Sequence, residues 1–260
     1  MTIGADKRMG IALVTGAGRR LGRAIAIGLA EAGYDIAVHY NGSSEGALDT
    51  VSCIENLGRK AVALQCDLGA TETVGDLVRQ AAATLGPLNV LVNSASIFDR
   101  DNLKNLSHEG WTRVINLNMT APVFLMQAFS QQQHLPDDGA IVNILDTQMA
   151  SAYPERFSYF CAKFGIDGAT RLASTALAEK GITVNAIAPG LILPSGTQNH
   201  EDFIQRQKLM PLGEGLGAKD IVEGIKYLIR ARHVTGHTLV VDGGERLMGM
   251  GNIYDHSTDN

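Results

Sequence analysis

The chain has 260 residues, 45% of them hydrophobic, enough to bury one large core as a single α/β domain or as two small ones. A formal net charge of -5 argues against nucleic acid and anionic membrane surfaces as partners, although a local basic patch still suits a phosphate. Cys53, Cys66 and Cys161 are an odd number without metal-type spacing, which fits a reducing compartment better than a disulfide framework or a metal centre.

Residues 1–9 hold no signal-peptide run, and no apolar stretch approaches the roughly 18 residues of a membrane span. The expectation is a cytoplasmic protein with a short flexible N-terminus and one domain over residues 10–260. From Ile11 to Thr15 an apolar run reads as a strand. It is followed by Thr15-Gly16-Ala17-Gly18-Arg19-Arg20-Leu21-Gly22 and a helix from Ala24 to Ala32 closed by Gly33. Such a turn lets backbone N–H groups approach a pyrophosphate at a helix N-terminus. Gly16, Gly18 and Gly22 are spaced one residue wider than G-x-G-x-x-G, so taken alone the turn suits a nucleotide or an ordinary strand-to-helix connection.

The next strand, Asp35 to Tyr40, ends in His39-Tyr40-Asn41-Gly42-Ser43, without the carboxylate that holds the ribose hydroxyls of NAD. With Arg19 in the glycine turn, a 2′-phosphate meets a cation and donors there, which favours NADPH over NADH. A helix from Glu45 to Leu57, a strand Ala61 to Cys66, a helix from about Thr73 to Leu85 and a strand Leu88 to Asn93 continue the alternation. Crossovers of this length predict a doubly wound, Rossmann-type parallel sheet of about seven strands, with helices on both faces and ligands beyond the C-terminal strand ends. Asp67 and Asn93 sit at such ends, where they either touch a cofactor or hold the backbone as turn formers.

Beyond Ser94-Ala95-Ser96-Ile97, Phe98 either caps the core or offers a flat face to a heteroaromatic ligand. In the long helical region that follows, the Asn118 amide either lies on a helix face or interrupts the helix and holds a water. The strand Ala140 to Leu145 stops at Asp146. It faces a helix that carries Tyr159 and Lys163, has Pro154 near its beginning and runs to about Lys180. Four residues apart, the phenol and the ammonium share a helix face, where the pair either simply lines the helix or, since a nearby cation favours the phenolate, makes an acid of Tyr159. The strand Ile182 to Ile187 leads to Pro189-Gly190. The segment 191–217, with Pro194, Gly196, Pro211 and Gly213, reads as a mobile flap or a passive connection. A helix from Ala218 to Ala231 and a strand Thr238 to Val241 complete the pattern.

Thr15-Gly16 with Gly22, Asn93-Ser94-Ala95, Asn118, Tyr159-x-x-x-Lys163, Pro189-Gly190 and Val241-Asp242-Gly243-Gly244, in that order, resemble the short-chain dehydrogenase/reductase family. The resemblance implies Tyr159 as proton donor, Lys163 as a ribose ligand that lowers the Tyr159 pKa, and Asn118 as holder of a proton-relay water. It also implies cofactor contacts at Gly16, Arg19, Leu21, His39, Tyr40, Asn41, Ser43, Asp67, Leu68, Asn93, Ala95, Tyr159, Lys163, Pro189 and Gly190. Two positions depart from the family pattern: Arg20 stands where most members have a glycine, and Asp146 where most have the catalytic serine. With Ser96 and Phe98, these departures are similar to the pteridine reductases and their dihydromonapterin-reductase relatives. That resemblance implies Arg20, Ser96 and Phe98 against a pterin, Asp146 and Tyr159 delivering protons, and a homotetramer built on the long helices.

A pterin is flat, stacks on aromatic surfaces and bears ring nitrogens that take a proton as hydride arrives. A carboxyl group in place of a hydroxyl suits such a C=N centre better than a ketone. The leading expectation is therefore NADPH-dependent reduction of a pterin or dihydropterin. The rivals are a reductase of another carbonyl or imine, and an NADPH-sensing regulatory protein, for which a proton donor would have no use. The missing acid after Tyr40 and the basic turn at Arg19 predict at least about tenfold tighter binding of NADPH than NADH, roughly 1.4 kcal/mol. Fluorescence titrations giving equal or tighter NADH binding reject that preference.

Overall fold

The computed structural model describes residues 8–151, 154–194 and 199–248. Most of the expected flexible N-terminus and Gly196 of the expected flap lie outside the described residues. Seven strands form one sheet: β1 (Gly10–Val14), β2 (Tyr34–Tyr40), β3 (Ala61–Gln65), β4 (Val90–Asn93), β5 (Ala140–Ile144), β6 (Thr183–Pro189) and β7 (Thr238–Val241). Their order is β3-β2-β1-β4-β5-β6-β7, every neighbouring pair parallel. This is the Rossmann-type single domain that the strand and helix alternation implies.

Because both faces of a parallel sheet are covered, its strands read as continuous apolar runs, and successive residues feed opposite cores. In β1, Ala12 and Val14 pack on one side with Ile25 and Leu29 of α1 (Arg20–Glu31) and Ile225 of α8 (Ala218–Arg230). Ile11 and Leu13 pack on the other side with Leu77 of α3 (Val74–Leu85) and Phe129 of α5 (Ala121–Ser130). α2 (Ser44–Asn56) joins the first face through Ala47 and Ile54. In α8 the buried Ile221, Val222, Ile225, Leu228 and Ile229 recur at helical spacing, the stripe that seats an amphipathic helix on a sheet.

Two helix starts differ from the sequence expectation. α1 begins at Arg20 rather than Ala24, inside the glycine turn, with Arg19 extended as its N-cap. α6 (Phe157–Ala176) begins three residues after Pro154, because Arg156 adopts a left-handed conformation, φ 58°, that breaks the helical run. The helical region before β5 is also divided: α4 (His108–Ile115) meets α5 through a π turn, Asn116–Thr120, that contains Asn118. The remaining helix, α7 (His200–Lys208), lies in the segment after β6.

The strand order reverses direction at β1 and β4, so the chains leaving these neighbours diverge and a crevice opens beyond their C-terminal ends. The glycine turn crosses it. Gly16 has φ 67°, and a Cβ on Gly22 would lie 2.3 Å from the Gly16 carbonyl oxygen, so the start of α1 rests directly on turn backbone that has no slack. Gly22→Ala is expected to lower stability by about 1–3 kcal/mol, the usual cost of overpacking. Urea unfolding of the variant checks this, and an unchanged midpoint would mean that the turn gives way.

Candidate active site

The crevice is built from strand ends held together by backbone and side-chain clips. The Thr15 hydroxyl accepts the N–H groups of Ser94 and Ala95, both at 2.9 Å, and joins the end of β1 to the end of β4. At the end of β2, the His39 ring is 2% exposed. Its Nδ1 accepts the Gly16 N–H at 3.0 Å, which leaves Nε2 to donate to the Cys66 carbonyl at 3.0 Å. Burial lowers its pKa. Both ring nitrogens are spent on backbone, and the residue braces the turn from below.

Around it, Tyr40 is half-buried, and the exposed Asn41 accepts from Gln65 at 3.2 Å and reaches Asp67 at 3.4 Å. Asp67 also receives the Gly69 N–H at 2.9 Å, an Asx turn, beside the buried Leu68. Ser43 lies against Gly18, and Arg19 and Arg20 are exposed, with Leu21 half-buried behind them. The Asn93 amide donates to Asn143 Oδ1 at 2.8 Å, while its own buried Oδ1 has no partner among the described residues. Pro189 ends β6, and the Gly190 N–H donates to Val241 at 3.0 Å.

β5 and α6 bring the chemical groups together. The Tyr159 hydroxyl donates to Asp146 Oδ2 at 2.9 Å, and the Gln148 N–H fixes the other carboxylate oxygen at 2.8 Å. Lys163 Nζ donates to the Ile144 carbonyl at 2.7 Å and stands 5.3 Å from the centre of the Tyr159 ring. Burial raises the Asp146 pKa against the opposing pull of its hydrogen bonds and of Lys163 and Arg156. The Tyr159 phenol is pushed well above its ordinary value by burial and by Asp146. Burial depresses Lys163 to about 8, partly offset by Asp146. In this geometry Lys163 makes its hydrogen bond to the Ile144 carbonyl, and burial first, then Asp146, set the direction of the Tyr159 shift.

The Asn118 amide donates to the Ile97 carbonyl at 2.9 Å and accepts the Ile97 N–H at 3.1 Å, so the side chain clamps the loop after β4. One residue on, the Phe98 ring meets the Tyr159 ring at 4.6 Å in an edge-on arrangement. The Arg156 guanidinium lies 3.6 Å from the Phe98 ring centre and donates to the Phe98 carbonyl at 2.8 Å. Ser96 is exposed beside them. Across the crevice, Arg20 donates to the Pro194 carbonyl at 2.8 Å. Arg20 and Arg156 are the non-glycine residues with positive φ among those described, and both border this cleft.

The profile described as short chain dehydrogenase matches residues 10–205. The chain belongs to that family. Over 238 residues it is 37% identical to a 3-oxoacyl-[acyl-carrier-protein] reductase, FabG, of Staphylococcus aureus, covering 90% of this chain and 96% of the relative. It is similar to the crystal structure of FolM Alternative dihydrofolate reductase 1 from Brucella canis complexed with NADP. The two share 36% identity and a TM-score of 0.86, over 92% of this chain and 94% of the other. A blue fluorescent protein from a metagenomic library, in complex with NADPH, superposes with a TM-score of 0.81 at 33% identity, over 91% and 98% of the two chains. Among the described residues, no helix of this short-chain dehydrogenase is long and apolar enough to cross a membrane.

Sequence reasoning missed Thr15 as a clip, and it missed Arg156 and Asp101. Asp101 accepts the Ser158 N–H at 3.1 Å and the Ser158 hydroxyl, from 57 residues away in the chain. The available signal was the absence of Ser, Thr, Asp or Asn just before Phe157, which leaves α6 without a cap of its own.

The depressed Lys163 pKa has a stability consequence. The folded chain releases this proton near pH 8 and the unfolded chain near 10.5, so the unfolded state binds more protons across that window and stability rises with pH. Relative to Lys163→Met, the wild type is expected to gain up to about 1.4 kcal/mol per pH unit there. Denaturant unfolding of both proteins at pH 8, 9 and 10 measures it, and parallel profiles would show that the lysine is not depressed.

Proposed function

We propose that this protein is an NADPH-dependent reductase of a pterin or dihydropterin, acting on a ring C=N. The observation that carries the reading is Asp146 in hydrogen bond with Tyr159, with Phe98 edge-on to the same phenol. The crevice fits the cofactor on its own chemistry. α1 starts with no side-chain cap on its N–H groups, as suits a pyrophosphate, and Gly16 lies so close to Ala95 that a Cβ would come within 2.9 Å of its backbone. Arg19 and Ser43 would hold the 2′-phosphate, Asn93 the buried polar edge, and Lys163 the nicotinamide ribose. NADPH supplies the hydride.

The chain's own groups then handle the proton. With its pKa raised by burial, Asp146 can carry a proton at Oδ2 and pass it to the Tyr159 oxygen as the Tyr159 hydroxyl gives its own to the ring nitrogen. The C=N becomes CH–NH, Asp146 is left ionised, and no phenolate is formed beside a carboxylate. Protonated Lys163 sits where it steadies that carboxylate. Phe98 and Arg20 hold the flat ring from the β4 and α1 sides, and Ser96 bonds its edge.

The described parts of the segment after β6, 191–194 and 199–217, would serve as the flap over the ring substituent. The roots of the segment are tied by Gln207, whose amide donates to the Leu191 and Leu216 carbonyls, both at 2.7 Å. The exposed Phe124, Phe164 and Leu172 of α5 and α6 are the faces on which the tetramer would close. A second reading, reduction of a 3-oxoacyl or other carbonyl, is favoured by the 37% identity to the FabG of Staphylococcus aureus. Asp146 opposes it only as a departure, because the family pattern that the chain resembles carries a serine hydroxyl at that position as the donor to a carbonyl oxygen.

The deciding experiment is NADPH oxidation by purified wild type, Arg20→Gly and Asp146→Ser with dihydropterins, oxidised pterins, dihydrofolate and a panel of ketones. Pterin turnover is expected from the wild type. Loss of the carboxyl relay in Asp146→Ser should lower kcat/KM by a factor of about 10² or more, the usual scale for a positioned acid. Arg20→Gly should weaken pterin use and leave NADPH affinity in place. Turnover of ketones alone by the wild type overturns the pterin reading.

A further inference from the structure

We propose that Asp101 and Arg156 are positioning residues: together they clasp the Phe98 loop to the N-terminus of the Tyr159 helix, and so set the Phe98 ring against the phenol that a flat substrate must meet. The proposal deepens the function assigned above and rests on it for the identity of the substrate. Its geometric basis does not.

The clasp is reciprocal. α6 starts without a local cap, since its N-cap residue is Arg156, in the left-handed region at φ 58° and with no side-chain bond to the helix. The missing acceptor comes from the Phe98 loop. Asp101 takes the Ser158 N–H at 3.1 Å and the Ser158 hydroxyl, while its backbone carbonyl takes the Phe157 N–H at 3.2 Å. A carboxylate at this point also meets the positive end of the helix dipole. In return the Arg156 side chain leaves the helix, lies over the Phe98 ring at 3.6 Å and donates to the Phe98 carbonyl at 2.8 Å. A non-glycine residue with positive φ is costly and persists where its surroundings hold it, commonly beside a functional site.

Beyond Asp101 the Asn102 amide still reaches Glu155 at 3.4 Å, and Leu103 and Lys104 then face Phe157, Phe160 and Cys161 across a cleft of about 570 Å³. At the other end of the loop the Phe98 and Tyr159 ring centres are 4.6 Å apart. Each half needs the other. Without Asp101 the first turn of α6 loses its acceptor, and without Arg156 the Phe98 ring loses its support.

The test compares Asp101→Asn, Asp101→Ala, Arg156→Lys and Arg156→Met with the wild type in two arms. In the first, the ligand-free proteins are followed by amide hydrogen exchange. Exchange over residues 97–101 is expected to speed up by about tenfold or more in Arg156→Met, and so is exchange over 157–160 in Asp101→Ala, with each substitution also loosening the other segment. In the second arm, dihydropterin kinetics of Arg156→Met should show KM raised about tenfold with kcat changed by less than about threefold, because the ring is misplaced while the proton groups remain.

Arg156→Lys should recover part of the KM, since an ammonium donates to the Phe98 carbonyl but does not lie flat on the ring. Asp101→Asn keeps one acceptor and should fall between Asp101→Ala and the wild type. Exchange confined to the mutated segment, or an unchanged KM in Arg156→Met alongside wild-type pterin turnover, overturns the clasp. Reciprocal loosening in a wild type that turns over no pterin upholds the clasp and overturns the substrate instead.

Discussion

Parallel strands need crossovers, and a sheet wound in both directions from its middle must have one place where neighbouring chains part. Here that place lies between β1 and β4, and everything chemical in the molecule is arranged around it. The crevice stays narrow because Thr15 ties the two strand ends and Gly16 and Gly22 let turn, helix and strand approach without side chains between them. His39 closes the underside. A histidine at a strand end invites a phosphate contact, but this one is 2% exposed and has both ring nitrogens on backbone, so its contribution is to hold the turn in shape.

The chemistry follows from three ionisable groups withdrawn from water together. Burial resists charge on each of them, which raises Asp146 and Tyr159 and depresses Lys163. The family pattern that this chain resembles has a serine hydroxyl where Asp146 stands. The carboxyl group here changes the balance. It takes the hydrogen bond of the phenol, makes the phenolate unfavourable and becomes the place where a spare proton can reside. That is an awkward arrangement for polarising a ketone and a workable one for delivering a proton to a ring nitrogen.

Arginines frame the cleft at both sides. Arg20, on the α1 side, reaches the first residues of the segment after β6, and Arg156, on the α6 side, covers Phe98. Each stands in a left-handed backbone conformation that glycine would adopt more readily. The side-chain contacts, to the Pro194 carbonyl for Arg20 and to Phe98 for Arg156, account for the arginines.

The fold was legible in the chain alone. Apolar runs with period-2 faces, helices at 3.6 spacing and a glycine turn determine a doubly wound sheet, since each is a local pattern read by nearest-neighbour physics. The spacing of Tyr159 and Lys163 was visible for the same reason, while Arg20 and Asp146 stood out only against the family pattern that the chain resembles. Tertiary structure decided what depends on groups distant in sequence. Asn118 spends its amide on Ile97, Asp101 caps a helix 57 residues away, and Arg156 turns back onto Phe98. The direction of the Tyr159 shift belongs with these. A pKa is set by the summed burial and charge around a group, and neither exists until β5 and α6 have packed side by side.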